Sequence, residues 1–310
     1  MAPSTGTSSS AGANSQPTST GVGIGADGPV TATDPAGKKV TLPHRPQRVV
    51  CLTGLCDDVM YTLGLNPVGT STPALLALPQ YLGAESSKIA TIPGGFGTED
   101  IESIAKLEPD LVIGLAGVHD ANKAAIENFA PLIVIDVKTY RDSLAYQSFF
   151  GELTGRSAQA AAGNADFEKS MAESMAAAKA KNLQSVTALS MYWNVGTTGV
   201  NTDDDIIGSL LAEVFAYPWP NKGGDYSTQA AYSTEEILKK DPSIIFIQSY
   251  TATPTSPNGS EDLAGNPLWK RVSAVRDGKV KEVEVALWTA GRGPRALSLV
   301  LQQAVEFATS

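Results

Sequence analysis

One segment constrains this chain more than any other, because it occurs twice. Residues 98–114 read T-E-D-I-E-S-I-A-K-L-E-P-D-L-V-I-G, and residues 233–248 read S-T-E-E-I-L-K-K-D-P-S-I-I-F-I-Q. With Glu102 set against Glu235, Ile104 meets Ile237, Lys106 meets Lys239, Glu108 meets Asp241 and Pro109 meets Pro242. Each copy reads as a short helix, a turn and a strand. In the first, Thr98 is expected to cap the helix, with Glu99 and Asp100 in its positive first turn. Ile101, Ile104 and Ala105 share one helical face. Pro109 stops the helix, and the apolar run Leu111-Val112-Ile113 reads as a strand buried on both faces. In the second, Ser233 and Glu236 form a capping box, with Tyr232 and Ile237 placed as a hydrophobic staple. Two widely separated copies predict two similar lobes.

The rest of the chain agrees. Its 310 residues are enough for two lobes. A hydrophobic fraction of 42% fits a globular protein, and no apolar run is long enough to span a membrane. The net charge is −9 and no block of Lys and Arg occurs, which argues against nucleic acid as a partner. Cys51 and Cys56 are too few for a disulfide framework or a zinc cage. The first reading is two packed thiols; the second is one local disulfide, which needs an oxidising compartment.

Residues 1–29 are rich in Ser, Thr, Gly, Ala and Pro and read as a disordered tether. Gly23, Gly25 and Gly28 match a dinucleotide fingerprint formally, but no strand precedes them and no helix follows. Met1 leads into small polar residues rather than a signal peptide. Either the protein is cytoplasmic or the sequence starts after a removed export signal; a long Ser/Thr/Gly tail before a compact body, as a surface-anchored protein needs, favours the second. Then come an extended hairpin over 30–42, a buried strand over 48–52, a helix over 57–63, a strand over 67–70, a helix near 121–129 and a strand over 133–136. Strands alternating with helices predict a parallel α/β lobe over 30–150. Residues 157–182 hold no Pro and one Gly, and predict one long helix within an interlobe segment of 151–183. The same grammar restarts in a second lobe over 184–310: a strand at 186–192, a helix at 206–214, the repeat, a short helix at 267–275, a strand at 280–285 and a closing helix at 294–308.

In this order the pieces resemble the class III substrate-binding proteins of ABC importers, which carry ferric siderophores, haem or cobalamin. The resemblance runs from about residue 30 to 308. It rests on D-P-A-G-K-K-V-T-L at 34–42, R-P-Q-R-V-V at 45–50, the stretch 94–113, S-T-E-E-I-L-K-K-D-P at 233–242, N-P-L-W-K-R-V-S-A-V-R-D-G-K-V at 266–280 and W-T-A-G-R-G-P-R-A-L at 288–297. It implies two parallel-sheet α/β lobes joined by a single long helix, with a shallow ligand cleft between them. It also implies one Glu per lobe that docks on Arg side chains of the membrane permease, and by motif position these are Glu102 and Glu235.

Ligands of parallel α/β lobes sit beyond the carboxyl ends of the strands. That rule places residues 53–57, 94–98, 115–120, 137–141, 193–198, 249–255 and 288–292 at the cleft. Phe96 in a Gly-rich loop, Trp193 after a strand and Trp288 before Gly291-Arg292-Gly293 are candidate walls for a large flat ligand, with Tyr226, Tyr250 and Trp219 behind them. Arg292 is the candidate anion contact, and Arg295 either joins it or serves the closing helix. His119 lies in a cleft loop as a candidate haem or metal ligand, while His44 reads as structural. Two histidines in all disfavour a bare metal cage. No G-x-S-x-G, P-loop or H-E-x-x-H motif occurs, and a Cys–His119 nucleophile pair lacks a third member. The expectation is therefore no enzyme. It is an extracytoplasmic, monomeric carrier of a ferric siderophore with no intrinsic cofactor, delivering to an ABC permease and bound to the membrane only through a lipid anchor outside this sequence. Haem or cobalamin is the alternative ligand.

Overall fold

The computed structural model describes residues 28–194, 197–224, 229–251, 253 and 255–310. Apart from Gly28 and Pro29, the expected tether lies outside them. The hairpin is present: β1 (Val30–Thr33) pairs antiparallel with β2 (Lys39–Leu42). Next come β3 (Val49–Cys51), α1 (Gly54–Thr62), β4 (Gly69–Thr70), α2 (Pro73–Ala77), β5 (Ala90–Thr91), β6 (Gly94–Gly95), β7 (Thr98–Glu99), α3 (Ile101–Ala105), β8 (Leu111–Leu115), α4 (Lys123–Ile126) and β9 (Leu132–Ile135). Their main sheet is parallel throughout, in the order β5-β4-β3-β8-β9. Then follow α5 (Tyr140–Thr154) and α6 (Ser157–Ala180). The second half holds β10 (Ala188–Asn194), β11 (Thr197–Val200), α7 (Ile206–Leu211), α8 (Thr234–Lys240), β12 (Ile244–Tyr250), α9 (Gly259–Leu263), α10 (Ser273–Arg276), β13 (Val280–Glu282) and α11 (Pro294–Thr309). Its sheet runs β11-β10-β12-β13 and is mixed, because β11 folds back antiparallel on β10.

The repeat is a structural equivalence. Asp100 and Ser233, aligned in sequence, are the N-cap residues of α3 and α8. Glu102 and Glu235 are thus both second helical residues. Glu108 and Asp241, also aligned, both hold positive φ (46° and 45°) just before the proline. A bulky residue rarely takes that conformation, and here it turns the chain from helix into strand. The strands match too. Leu111 lies beside Val49 as Ile244 lies beside Ala188, and Val112 pairs Leu132 as Ile245 pairs Val280.

Local details differ from the sequence-based expectations. Thr98 does not cap α3; it sits in β7, and Asp100 accepts the Glu102 N–H instead. Glu99 is consequently buried rather than in a helical turn. The helix expected from 57 starts at Gly54, because Thr53 caps it. The segment 140–154 is a helix beyond those expected. It forms α5, which Gly155 ends at positive φ, so residues 151–154 belong to α5 and the long helix is α6 alone. Cys51 and Cys56 are not two packed thiols but a disulfide with Cα atoms 5.4 Å apart, within normal bridging range.

The two halves share more than α6, which is about 36 Å long by its residue count. One apolar cluster runs from Leu75, Leu76 and Tyr81 through Phe167 and Met171 of α6 to Trp219, Phe246 and Leu297. A polar joint sits beside it. α11 has glycine, Gly293, at its N-cap and so has no side-chain cap of its own. Asp58 of α1 supplies one: its carboxylate accepts the N–H groups of Arg295 (3.3 Å) and Ala296 (2.8 Å) and the hydroxyl of Tyr81. A Cβ on Gly293 would lie 2.1 Å from Asp58 Oδ1, so only glycine allows this approach.

Asp58 and its neighbour Asp57 are fully buried. Burial raises the Asp57 carboxyl from 3.8 to about 7, against hydrogen bonds from Thr72 and Thr70. Burial raises Asp58 to about 6, against bonds from Tyr81, Ala296 and Arg295. Both folded values lie above the unfolded ones. Their linked stabilisation is therefore complete below about 3.8 and is lost as pH rises through about 6 and then about 7. Urea unfolding is expected to show the protein more stable at pH 5 than at pH 8 by about 2–4 kcal/mol. Asp57→Asn should flatten that profile; an unchanged slope would remove Asp57 as its source.

Candidate functional site

A recess of about 420 Å³ opens at the carboxyl ends of β10 and β12. Its described lining comes from the C-terminal half alone; the N-terminal loops expected at the cleft contribute no residue to it. The chemistry is mixed. Tyr192 and Tyr250 give aromatic surface with Trp288 behind them, Asn194, Asn201, Gln248 and Thr289 give neutral polar groups, and Arg292 and Asp205 give one charge of each sign. The Tyr192 ring packs against Gly199 across the β10–β11 pair, where an added Cβ would meet it at 2.1 Å.

The floor is a closed hydrogen-bond network. Gln248 Nε2 donates to Ser190 Oγ (2.9 Å) and Asn201 Oδ1 (2.7 Å), and its Oε1 accepts from Thr289 Oγ1 (2.7 Å). Each polar atom is held in one orientation, as a binding surface requires. Arg292 Nε donates to the Thr289 carbonyl at 2.9 Å, which fixes the guanidinium at the rim. Asp205 caps α7 by accepting the Gly208 N–H at 2.7 Å. Burial pushes its carboxyl up to about 6, against that bond, one from Asn201 and the Arg292 charge. Asn201, Asp205, Gln248 and Thr289 were not singled out from sequence; the fold-back of β11 on β10 brings Asn201 to Gln248, and the segment before α11 brings Thr289.

Of the sequence candidates, Tyr250, Trp288 and Arg292 meet in this recess. Trp288 is fully buried and serves as its back wall, stacked on Phe246 at 4.9 Å, with its indole donating to Gln303. Trp193 is instead buried in the C-terminal core, its indole N–H on Asp262 at 3.0 Å. Trp219 is likewise buried and donates to the Ala188 carbonyl. Tyr226 lies outside the described residues. Arg295 leaves the recess to the closing helix, donating to the Gln80 carbonyl and lying over the rings of Tyr61 and Tyr81.

His119 is turned into the fold. It is fully buried, its Nδ1 accepts the Leu115 N–H at 2.8 Å, and its Nε2 donates to Glu99 at 3.1 Å. With both nitrogens engaged, neither is open to haem iron or another metal. What His119 does is hold the β6–β7 hairpin. Glu99 also accepts the Gly97 N–H, and the ring packs edge-on against Phe96 at 5.5 Å. Phe96 at the tip is 62% exposed, the most exposed large hydrophobic side chain among the described residues. Among those residues, no group of three or more His, Cys, Asp or Glu is placed to hold a metal ion.

Two α/β lobes on a stiff helix, with a preorganised aromatic and polar recess beyond the strand ends, define a solute-binding protein. The chain belongs to the periplasmic binding protein family, whose model matches residues 49–285. The fold is shared with the triscatecholate siderophore binding protein FeuA from Bacillus subtilis, solved with ferri-bacillibactin (TM-score 0.74, 20% identity, 88% of this chain and 96% of that one). It is shared equally with the iron uptake ABC transporter substrate-binding protein PiuA from Streptococcus pneumoniae (TM-score 0.70, 22% identity, 88% and 96%). A cobalamin-binding protein of Halobacterium salinarum is 26% identical over 267 residues, covering 82% of this chain and 68% of its own.

Proposed function

We propose that this protein is an extracytoplasmic, monomeric carrier that holds a ferric siderophore in the recess and delivers it to the permease of an ABC importer. The observation that carries this reading is the recess itself: aromatic faces, a fixed neutral polar floor and one guanidinium beyond the ends of β10 and β12. The solved relatives named for siderophore binding and iron uptake support it. Phe96 supplies an aromatic contact from the other lobe. The siderophore and its iron are cargo, and no resident cofactor takes part. Glu102 and Glu235, both exposed and on equivalent helix turns, are the permease contacts. Attachment to the membrane through a lipid anchor belongs to the same reading, supported by relatives named as substrate-binding lipoproteins. Cobalamin is the second reading, favoured by the archaeal relative.

Tryptophan fluorescence titration with ferric siderophores, their iron-free forms, haem and cobalamin tests it. Saturable quenching is expected for a ferric siderophore, much weaker for the iron-free chelator. Arg292→Ala should weaken that binding about tenfold, the size of one lost charge-assisted hydrogen bond. Tight cobalamin or haem binding with no response to any ferric chelate would replace the siderophore reading.

A further inference from the structure

We propose that the recess selects ferric chelates of no net charge, the tris-hydroxamate class, over tris-catecholate trianions. This rests on the recess being the ligand site. Three hydroxamates cancel the charge of Fe³⁺, whereas three doubly ionised catechols leave a trianion. A trianion taken out of water needs cations to face it, because unpaired buried charge is heavily penalised.

This chain does not supply them. All 23 Lys and Arg residues fall among the described residues. Arg292 is the one that lines the recess, and the acidic Asp205, whose carboxyl feels the Arg292 charge, lines it too. Cations at the starts of α4 and α5 and just before α5 are also paired: Arg141 with Glu213 at 2.8 Å, Lys138 with Asp136 at 3.7 Å and Lys123 with Glu127 at 3.8 Å. The net charge of −9 repels an approaching trianion further. What the recess does offer is tyrosine faces for alkyl linkers and, beyond the closed network, the Thr197 and Tyr250 hydroxyls and the Gln229 amide for hydroxamate oxygens.

The experiment titrates the full chain with two neutral tris-hydroxamates, ferrichrome and ferrioxamine E, and with ferric enterobactin, a tris-catecholate trianion. The expected result is that at least one hydroxamate binds about 100-fold more tightly than ferric enterobactin. Its affinity should barely change between about 50 and 500 mM NaCl, because no net charge is being paired. Asp205→Asn keeps a helix-capping side chain but unmasks Arg292. It should shift the ratio of the two affinities about tenfold toward the trianion, with folding checked by thermal melt. Equal or tighter binding of ferric enterobactin, steeply weakened by salt, overturns the charge selection and leaves the siderophore carrier standing. An unshifted ratio in Asp205→Asn also overturns it. Binding of cobalamin with neither ferric class bound removes the siderophore reading itself, and the inference with it.

Discussion

Asp58→Ala is expected to destabilise the protein by about 3 kcal/mol, a loss in Tm of roughly 5–10 °C. The size follows from what the carboxylate holds. It accepts the Arg295 and Ala296 N–H groups and the Tyr81 hydroxyl, and it is fully buried. Alanine leaves those donors with no acceptor and little access to water. Each buried orphan costs about 1–3 kcal/mol, and relief from burying a carboxylate offsets part of the sum. α11 has no replacement cap, since Gly293 carries no side chain. Asp58→Asn keeps one oxygen acceptor and sheds the charge, so it should lose less than half as much. Native-state hydrogen exchange gives an independent reading, with faster exchange expected at the amides of residues 295–298 in the alanine variant. Equal stability of the wild type and Asp58→Ala would show that the clamp contributes nothing.

The double charge reversal Glu102→Arg with Glu235→Arg is expected to abolish ligand uptake, lowering it at least about tenfold, while ligand affinity stays within about twofold. Both side chains are exposed, at the second residue of equivalent helices, and neither carboxylate has a partner among the described residues. The contrast with the adjacent Glu236 is instructive. That residue closes the capping box on Ser233 and pairs with Lys222, and the bond from Lys222 and the capping contacts hold its carboxyl down at about 2. Glu236 is committed to the fold; Glu235, one residue away, points its charge at solvent. Helix-start carboxylates of this kind contribute less than about 1 kcal/mol to stability, so the reversal should barely move Tm. Transport measured in membrane vesicles or in cells carrying the permease decides the matter. Wild-type uptake by the double variant would remove these residues from docking, and a parallel loss of ligand affinity would relocate their role to the recess.

Much of the architecture was legible from local pattern. Apolar runs marked β3, β8, β9, β10 and β12, capping residues marked α8, and prolines marked the end of α3 and the start of α11. These signals are written within a few residues of the element they govern. The repeat reached further: the alignment set Asp100 against Ser233 and Glu108 against Asp241, but only the structure showed the first pair to be the equivalent caps, in place of Thr98, and the second to share positive φ. The sites were legible only in part. Tyr250, Trp288 and Arg292 could be placed at strand ends, but sequence does not distinguish an aromatic at the rim from one in the core. Trp193 and His119 turned inward because Asp262 and Glu99 were there to receive their N–H groups.

What the sequence by itself determined is therefore the order of elements, the two-lobed plan and the family. What the tertiary structure alone decided is which residues meet. The Cys51–Cys56 bridge, the network joining Gln248 to Asn201 and Thr289, the placing of Arg292 and Asp205 in one recess and the capping of α11 by Asp58 belong to that second group. Asp58 and Ala296 are 238 residues apart. Helix and strand preferences come from a residue and its near neighbours. A buried carboxylate finds its partners only when packing brings distant chain together, and no local pattern carries that information.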